Sequence, residues 1–413
     1  MFLERNISKK IEHCLEYFPV VVLTGVRQCG KTTLARHIRP GWNYFDLEKG
    51  SDYDLITGDF DLFFSQYSDS VIIDEAQLSA RLFQELRGVV DSDRQKKGRY
   101  ILTGSSSPEL KTRISESLAG RVAVIEIGTL KLNERYQRGI SGIYEILTRE
   151  PVTNHLQLLQ ELVDPISTQE VLKHFLEGGY PELVISRDEG FRAEWFAQYF
   201  DSYLQRDVKV LFPGLQRDNY RHFIRMLAEL SGTTINRSQI ARTLNVSEGA
   251  VRNYLDISEG TYIWRNISSL ERTQSKSIVK MGRGYVRDSG LMHYLRQVNS
   301  VEGLLSHSKT GHAFEGFVIE EIIQGLDATA VSGWTYNYYR TRGGREVDLV
   351  LTTPSGERIP VEIKFGSSTK KSDVKSLSSF IAQENLTYGI VINNSTRLAM
   401  LTENVIQIPA GYL

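Results

Sequence analysis

The stretch VVVLTGVRQCGKTTL, Val20–Leu34, decides the fold. The apolar, β-prone residues Val20 to Leu23 run into Gly25-Val26-Arg27-Gln28-Cys29-Gly30-Lys31-Thr32, and a helical pattern follows from Thr33. Gly25 and Gly30 allow backbone turns that a Cβ would obstruct. A loop of this kind turns its N–H groups toward a phosphate, and the helix beginning near Lys31 points its positive end the same way. In the G-x-x-x-x-G-K-T spacing, Lys31 reaches the β- and γ-phosphates and the Thr32 hydroxyl takes a place on Mg²⁺. The cradle is expected to run from Gly25 through Val26, Arg27, Gln28, Cys29, Gly30, Lys31 and Thr32 to Thr33, with ATP and Mg²⁺ as its occupants. A glycine turn with no ligand is the plain alternative. The order strand, loop, Lys-Thr, helix argues against it.

Val71-Ile72-Ile73-Asp74-Glu75 reads as a buried parallel strand that ends in two carboxylates. Asp74 is placed to bind Mg²⁺ through water, and Glu75 to orient or deprotonate the attacking water. Arg99–Gly104 begins a further strand that ends at Ser105-Ser106-Ser107. Ser105 or Ser106 is a candidate sensor of the γ-phosphate, or else a cap for the helix after Pro108. Arg121, before the strand Ala123–Ile127, and Arg113 are candidates for an arginine presented to a neighbouring subunit's γ-phosphate. Such a role requires a homo-oligomer. Alternating elements of this kind imply an α/β fold with a parallel sheet covered on both faces.

The chain has 413 residues, enough for two or three domains. Hydrophobic content of 41% and charged content of 24% are ordinary for a globular protein. A net charge of −1 excludes a global basic field, so any nucleic-acid contact must come from local patches. Two cysteines, Cys14 and Cys29, make no disulfide framework and suit a reducing cytoplasm. The N-terminal residues 2–18 read as a helix rather than a signal peptide, and no apolar run is long enough to span a bilayer.

The expected partition is an ATP-binding domain at 1–165, a helical lid or linker at 166–216, a winged helix at 217–300 and a last α/β domain at 301–413. The assignment of residues 129–165 to lid or linker is left open. The aromatic face of Phe191–Leu211, with Phe196, Tyr199, Phe200 and Tyr203, reads as core. Ile235–Leu255 reads as helix, tight turn, helix, with Ser247 capping the second helix. Arg252 and Asn253 fall on its exposed face, and Lys276, Lys280, Arg283 and Arg287 form a basic wing-like stretch. DNA is therefore the expected partner. A packing or assembly module is the alternative. Toward the C-terminus, Asp348 lies on one strand of a hairpin and Glu362-Ile363-Lys364 on the next. Period-two spacing puts Glu362 and Lys364 on one face. With Glu315 from the preceding helix, Asp348 and Glu362 supply oxygen ligands for a divalent cation, and Lys364 positions a water. A cross-strand salt bridge is the bland reading.

GVRQCGKTTL, VIIDEAQ, ILTGSS and LAGR together resemble a group of prokaryotic AAA+-type ATPases with a poorly characterised C-terminal region. The turn Gly178-Gly179-Tyr180-Pro181-Glu182 and Arg206-Asp207 are also seen in that group, where Arg206 would be a lid sensor. Residues 310–400 resemble the PD-(D/E)xK nuclease superfamily, with Val347 where its proline would stand. The resemblance implies ATP hydrolysis coupled to binding or remodelling of DNA, branched or broken, with a metal-dependent nuclease site. One alternative is a nucleotide-controlled switch that binds a protein partner through an inert nuclease-like domain. The other is a transcription regulator built on the winged helix.

Overall fold

Strand β1 (Val20–Gly25) is buried along its whole length. Its valines and Leu23 satisfy the requirement of a strand covered on both faces. The computed structural model describes residues 2–105, 118–148, 162, 165–186, 188–209, 212–270, 282–341 and 344–413. These form two compact units, Met1–Leu130 with Asp256–Tyr262, and Lys131–Leu255 with Ile263–Leu413. The boundary between the two units falls after Leu130.

In the first unit β1 is flanked by β4 (Tyr100–Ser105) and β5 (Val122–Ile127), and the order is β2-β3-β4-β1-β5. Here β2 is Asn43–Asp46 and β3 is Val71–Asp74, and every pairing is parallel. Helices α1 (Ser8–Tyr17), α2 (Lys31–Ile38), α3 (Gly50–Gly58), α4 (Phe60–Gln66) and α5 (Ala80–Ser92) complete the unit. Val20, Val22, Phe45, Ile73, Leu82, Phe83 and Leu102 share one core. The N-terminal helix begins at Ser8, not at residue 2. Before it, Arg5 is buried and donates to the carbonyls of Cys29 and Gly128, both at 2.9 Å.

In the second unit, helices α6 (Thr168–Glu177) and α7 (Glu189–Ser202) precede a π-helical turn, Tyr203–Val208. Phe196, Tyr199, Phe200 and Tyr203 are buried, as the core reading requires. After α8 (Arg217–Leu230) come α9 (Arg237–Leu244) and α10 (Glu248–Gly260). Asn236 caps α9 by accepting from the Gln239 amide at 3.1 Å, and Ser247 Oγ accepts from the Ala250 amide at 3.1 Å. Asn245 closes α9 in the left-handed region, which Asn tolerates. The last turn of α10, with Tyr262, belongs to the first unit.

Strands β6 (Thr233–Thr234), β7 (Trp264–Ser269) and β8 (Arg283–Val286) pair antiparallel. These three strands do not stand alone. Residues Ser268 and Ser269 of β7 pair in parallel with Asn337 and Tyr338 of β9 (Thr335–Arg340). Among the described residues the sheet therefore runs through nine strands, β13-β14-β12-β11-β10-β9-β7-β8-β6. The remaining strands are β10 (Glu346–Thr352), β11 (Arg358–Lys364), β12 (Gly389–Asn393), β13 (Ala399–Thr402) and β14 (Val405–Pro409). Helices α11 (Ser289–Leu295), α12 (Thr310–Asp327) and α13 (Lys375–Glu384) pack in the same unit. Among the described residues no helix is long and apolar enough to cross a membrane.

Candidate active site

The phosphate loop joins β1 to α2. Gly25 has φ +149°, and a Cβ there would lie 2.0 Å from the Ile127 carbonyl oxygen. Only glycine lets β5 approach so closely. Gly30 caps α2 with φ 93°, and Gln28 has φ 59°. Cys29 is fully buried, its thiol donating to the Ile127 carbonyl at 3.4 Å. With Arg5 on the Cys29 carbonyl, the back of the loop is fixed to the end of β5.

Lys31 is buried, and its Nζ donates to the Gly25 carbonyl at 3.1 Å and the Val26 carbonyl at 2.9 Å. The amine is held against the loop it is expected to complete. Thr32 Oγ1 donates to Asp74 at 2.8 and 3.0 Å, so the two Mg²⁺ candidates meet. The topology explains this. Strand β4 lies between β1 and β3, and all three run parallel, so their C-terminal tips gather at the loop. Glu75 follows Asp74 with φ 52° and ψ 42°, a left-handed conformation uncommon for a non-glycine residue. Its carboxylate accepts from the Gln77 side-chain amide.

Sequence reasoning missed three residues here. Tyr44, on β2, donates to Asp74 Oδ2 at 2.9 Å. Burial and the Asp74 charge push its phenol well above the usual range. Thr103, fully buried on β4, also donates to Asp74. Its one available signal was a hydroxyl inside an apolar strand. Arg5 had none.

Other expected residues are placed differently. Arg121 donates Nε to Asp91 Oδ1 at 2.6 Å and Nη2 to Oδ2 at 3.0 Å, and its Nη1 holds the Ala119 carbonyl. The guanidinium that sequence assigned to a neighbouring subunit is thus occupied within its own chain. Ser105 ends β4, paired with Gly25. Ser106, Arg113, Lys276 and Lys280 lie outside the described residues. Arg252 and Asn253 are exposed on α10, and Arg206 is exposed in the second unit.

The C-terminal constellation is assembled. Leu349 faces Val361 across the β10–β11 pairing, which brings the adjoining Asp348 and Glu362 together. Asp348 Oδ2 accepts from the Ile363 amide at 2.9 Å, and Lys364 donates to Glu362 Oε1 at 2.5 Å. Arg283, expected on a DNA-facing wing, is buried instead. Its Nη1 lies 2.6 Å from Glu315 and 3.5 Å from Asp348, and its Nη2 pairs with Glu346. A guanidinium so enclosed cannot reach a phosphate. Arg287 is likewise tied to buried Glu320. Among the described residues no group of three or more His, Cys, Asp or Glu side chains could hold a metal ion. The expected set Glu315, Asp348 and Glu362 is brought together around Arg283 and Lys364. Burial, and next the Asp348 charge, push Glu315 and Glu362 each up to about 8.

Residues 17–136 match the family model of an AAA domain. Residues 168–302 and 310–413 match two domains of unknown function, DUF8612 and DUF4143. An uncharacterized protein of Mycobacterium tuberculosis (strain H37Rv) is 28% identical over 416 residues, covering 100% of this chain and 85% of that protein. One from Methanocaldococcus jannaschii is 23% identical over 421 residues, covering 96% and 87%. Among solved structures, a Walker-type ATPase of Pyrococcus abyssi is similar with a TM-score of 0.41 at 16% identity, over 72% of this chain and 96% of that one. The first unit is an α/β domain with a parallel, P-loop ATPase-like core, and its residues 17–130 fall within the match to the AAA domain model.

Proposed function

We propose that this chain hydrolyses ATP with Mg²⁺ and couples turnover to DNA. The observation that carries the ATPase part is the meeting of Thr32 and Asp74 beside the loop that seats Lys31. The donors are oxygens, as a hard cation requires. Thr32 and Asp74 would hold Mg²⁺, which supplies charge neutralisation at the phosphates. Lys31 exchanges the Gly25 and Val26 carbonyls for phosphate oxygens. The loop amides and the N-terminus of α2 bind the β-phosphate. Glu75 orients the attacking water and takes its proton. Tyr44 and Thr103 keep the Asp74 carboxylate in place.

The DNA part is supported by the helix–turn–helix of α9 and α10, read as a winged helix with β7 and β8, and by exposed Arg252 and Asn253. ATPase rates with and without duplex, single-stranded and branched DNA test both parts. Lys31→Ala and Glu75→Gln should each abolish turnover, with Glu75→Gln still binding ATP. Unchanged turnover in Glu75→Gln overturns the hydrolytic role. Turnover and nucleotide affinity that ignore every DNA overturn the coupling.

A second reading is a nucleotide-controlled switch whose PD-(D/E)xK-like domain binds a protein partner and does not cut. The ion pairs of Arg283 with Glu315, Glu346 and Asp348 favour it. Slow turnover insensitive to DNA, with no cleavage in Mg²⁺ or Mn²⁺, is its expected signature.

A further inference from the structure

The segment Asp256–Tyr262, the end of α10 and the turn after it, is distant from the phosphate loop in sequence yet folds with the first unit. There the Tyr262 hydroxyl donates to Thr24 Oγ1 at 2.9 Å. Both residues are buried, Thr24 completely. Thr24 is the residue before Gly25 on the central strand β1, where it pairs with Gly104 of β4 and Glu126 of β5. Tyr262 makes its bond from a left-handed backbone, φ 60°, which a bulky residue adopts only when its surroundings hold it there. The turn that delivers it is closed by the Tyr262 amide on the Glu259 carbonyl at 3.1 Å and by Thr261 Oγ1 on the Ile257 carbonyl at 2.8 Å. One residue on from Thr24, the Gly25 carbonyl accepts from Lys31 at 3.1 Å. The strand end that opens the loop is therefore tethered at adjacent residues, once by the turn after α10 and once by the lysine that a phosphate would take away.

We propose that Tyr262 is a positioning residue for the phosphate loop, and that its bond to Thr24 couples nucleotide binding to the docking of Asp256–Tyr262. When Lys31 leaves the Gly25 carbonyl for phosphate oxygens, the Thr24–Gly25 corner loses one tether and depends on the other. A docked Tyr262 then favours the occupied loop, and by linkage a bound nucleotide favours the docked turn by the same factor. Arg252 and Asn253 lie on the same helix, which gives the loop a route to the helix–turn–helix. The proposal rests on the loop's binding a nucleoside triphosphate; neither hydrolysis nor DNA enters it.

The probe is a non-hydrolysable ATP analogue with Mg²⁺, added to the full chain. Two quantities are measured: its affinity, and amide hydrogen exchange over residues 256–262. Tyr262→Phe and Thr24→Val should each weaken the analogue by about three- to tenfold, the worth of one neutral hydrogen bond. Thr24→Val/Tyr262→Phe should weaken it no further. In the wild type the analogue should slow exchange over this segment. In the double variant, which strands no polar group, it should bind and leave that exchange unchanged. Thr24→Ser keeps the hydroxyl and should hold both measurements at their wild-type values. Losses that add in the double variant overturn the proposal, as does slowing of exchange there equal to the wild type's. An analogue that binds the wild type without slowing this exchange overturns it too. One that does not bind the wild type removes the nucleotide reading itself, and this proposal with it.

Discussion

Asp74 accepts from the hydroxyls of Thr32, Tyr44 and Thr103, which stand on α2, β2 and β4. A hydrogen bond to a charged acceptor is worth about 1.5–3 kcal/mol. Tyr44→Phe should therefore raise the Mg²⁺ concentration for half-maximal ATPase activity by roughly tenfold, with the other two donors limiting the loss. A Mg²⁺ titration of the rate checks this, and an unchanged midpoint would remove Tyr44 from the site. Gly25→Ala is a different kind of test. Its Cβ would meet the Ile127 carbonyl at 2.0 Å, so β5 or the loop must move. A stability loss of about 2–4 kcal/mol and loss of nucleotide binding are expected, read by thermal melting and a fluorescent ATP analogue. The loop was legible because Gly25 to Thr32 carry their whole chemistry in consecutive residues. Tyr44 and Thr103 were not. They join the site only through the lateral order β2-β3-β4-β1, which periodicity along one strand does not encode.

At the scale of the element, α12 shows how far pattern reading reaches. The sequence places an amphipathic helix there, with Glu315 recognisable as a carboxylate near the D…ExK hairpin, and the structure buries most of its length. The partners of its glutamates were not recognisable, because they arrive from distant segments. Glu320 takes Arg265 and Arg287, while Glu321 takes Lys131, His174 and the Leu132 amide. The same limit misplaced Arg283. Its wing reads as solvent-facing until β7 is seen to pair with β9, which draws β8 into the larger sheet beside α12. Glu320 is buried and serves both Arg265 and the largely buried Arg287, so Glu320→Gln removes a buried charge partner and should cost about 3–5 kcal/mol in denaturant unfolding. The exposed Arg81–Glu85 pair on α5 provides the contrast: Glu85→Gln should cost no more than about 1 kcal/mol. Equal losses in the two variants would contradict the burial-based ranking.

Over the whole chain, buried titrating groups cluster in the second unit, and their signs oppose one another. His293 is buried, and burial depresses it to about 3. Its ordinary value is 6.5, so the unfolded chain binds the proton first. The stability it leaves intact is full above pH 6.5 and is lost as pH falls toward 3. Glu315 and Glu362 act in the reverse direction. Held up to about 8 against an ordinary 4.5, they keep protons that the unfolded chain has already released. Their contribution is complete below pH 4.5 and disappears as pH rises through 8. At neutral pH the His293 limb is already spent, and the carboxyl limb governs the slope. The second unit should therefore lose stability from pH 6 to 8, by about 1–3 kcal/mol given the coupling within the cluster. Denaturant midpoints measured across that range check the sign. Glu362→Gln should flatten the decline, since an amide has no proton to lose. A decline of the same slope in Glu362→Gln would place its source elsewhere, and a rise in stability from pH 6 to 8 would show that these carboxyls are ionised in the folded protein.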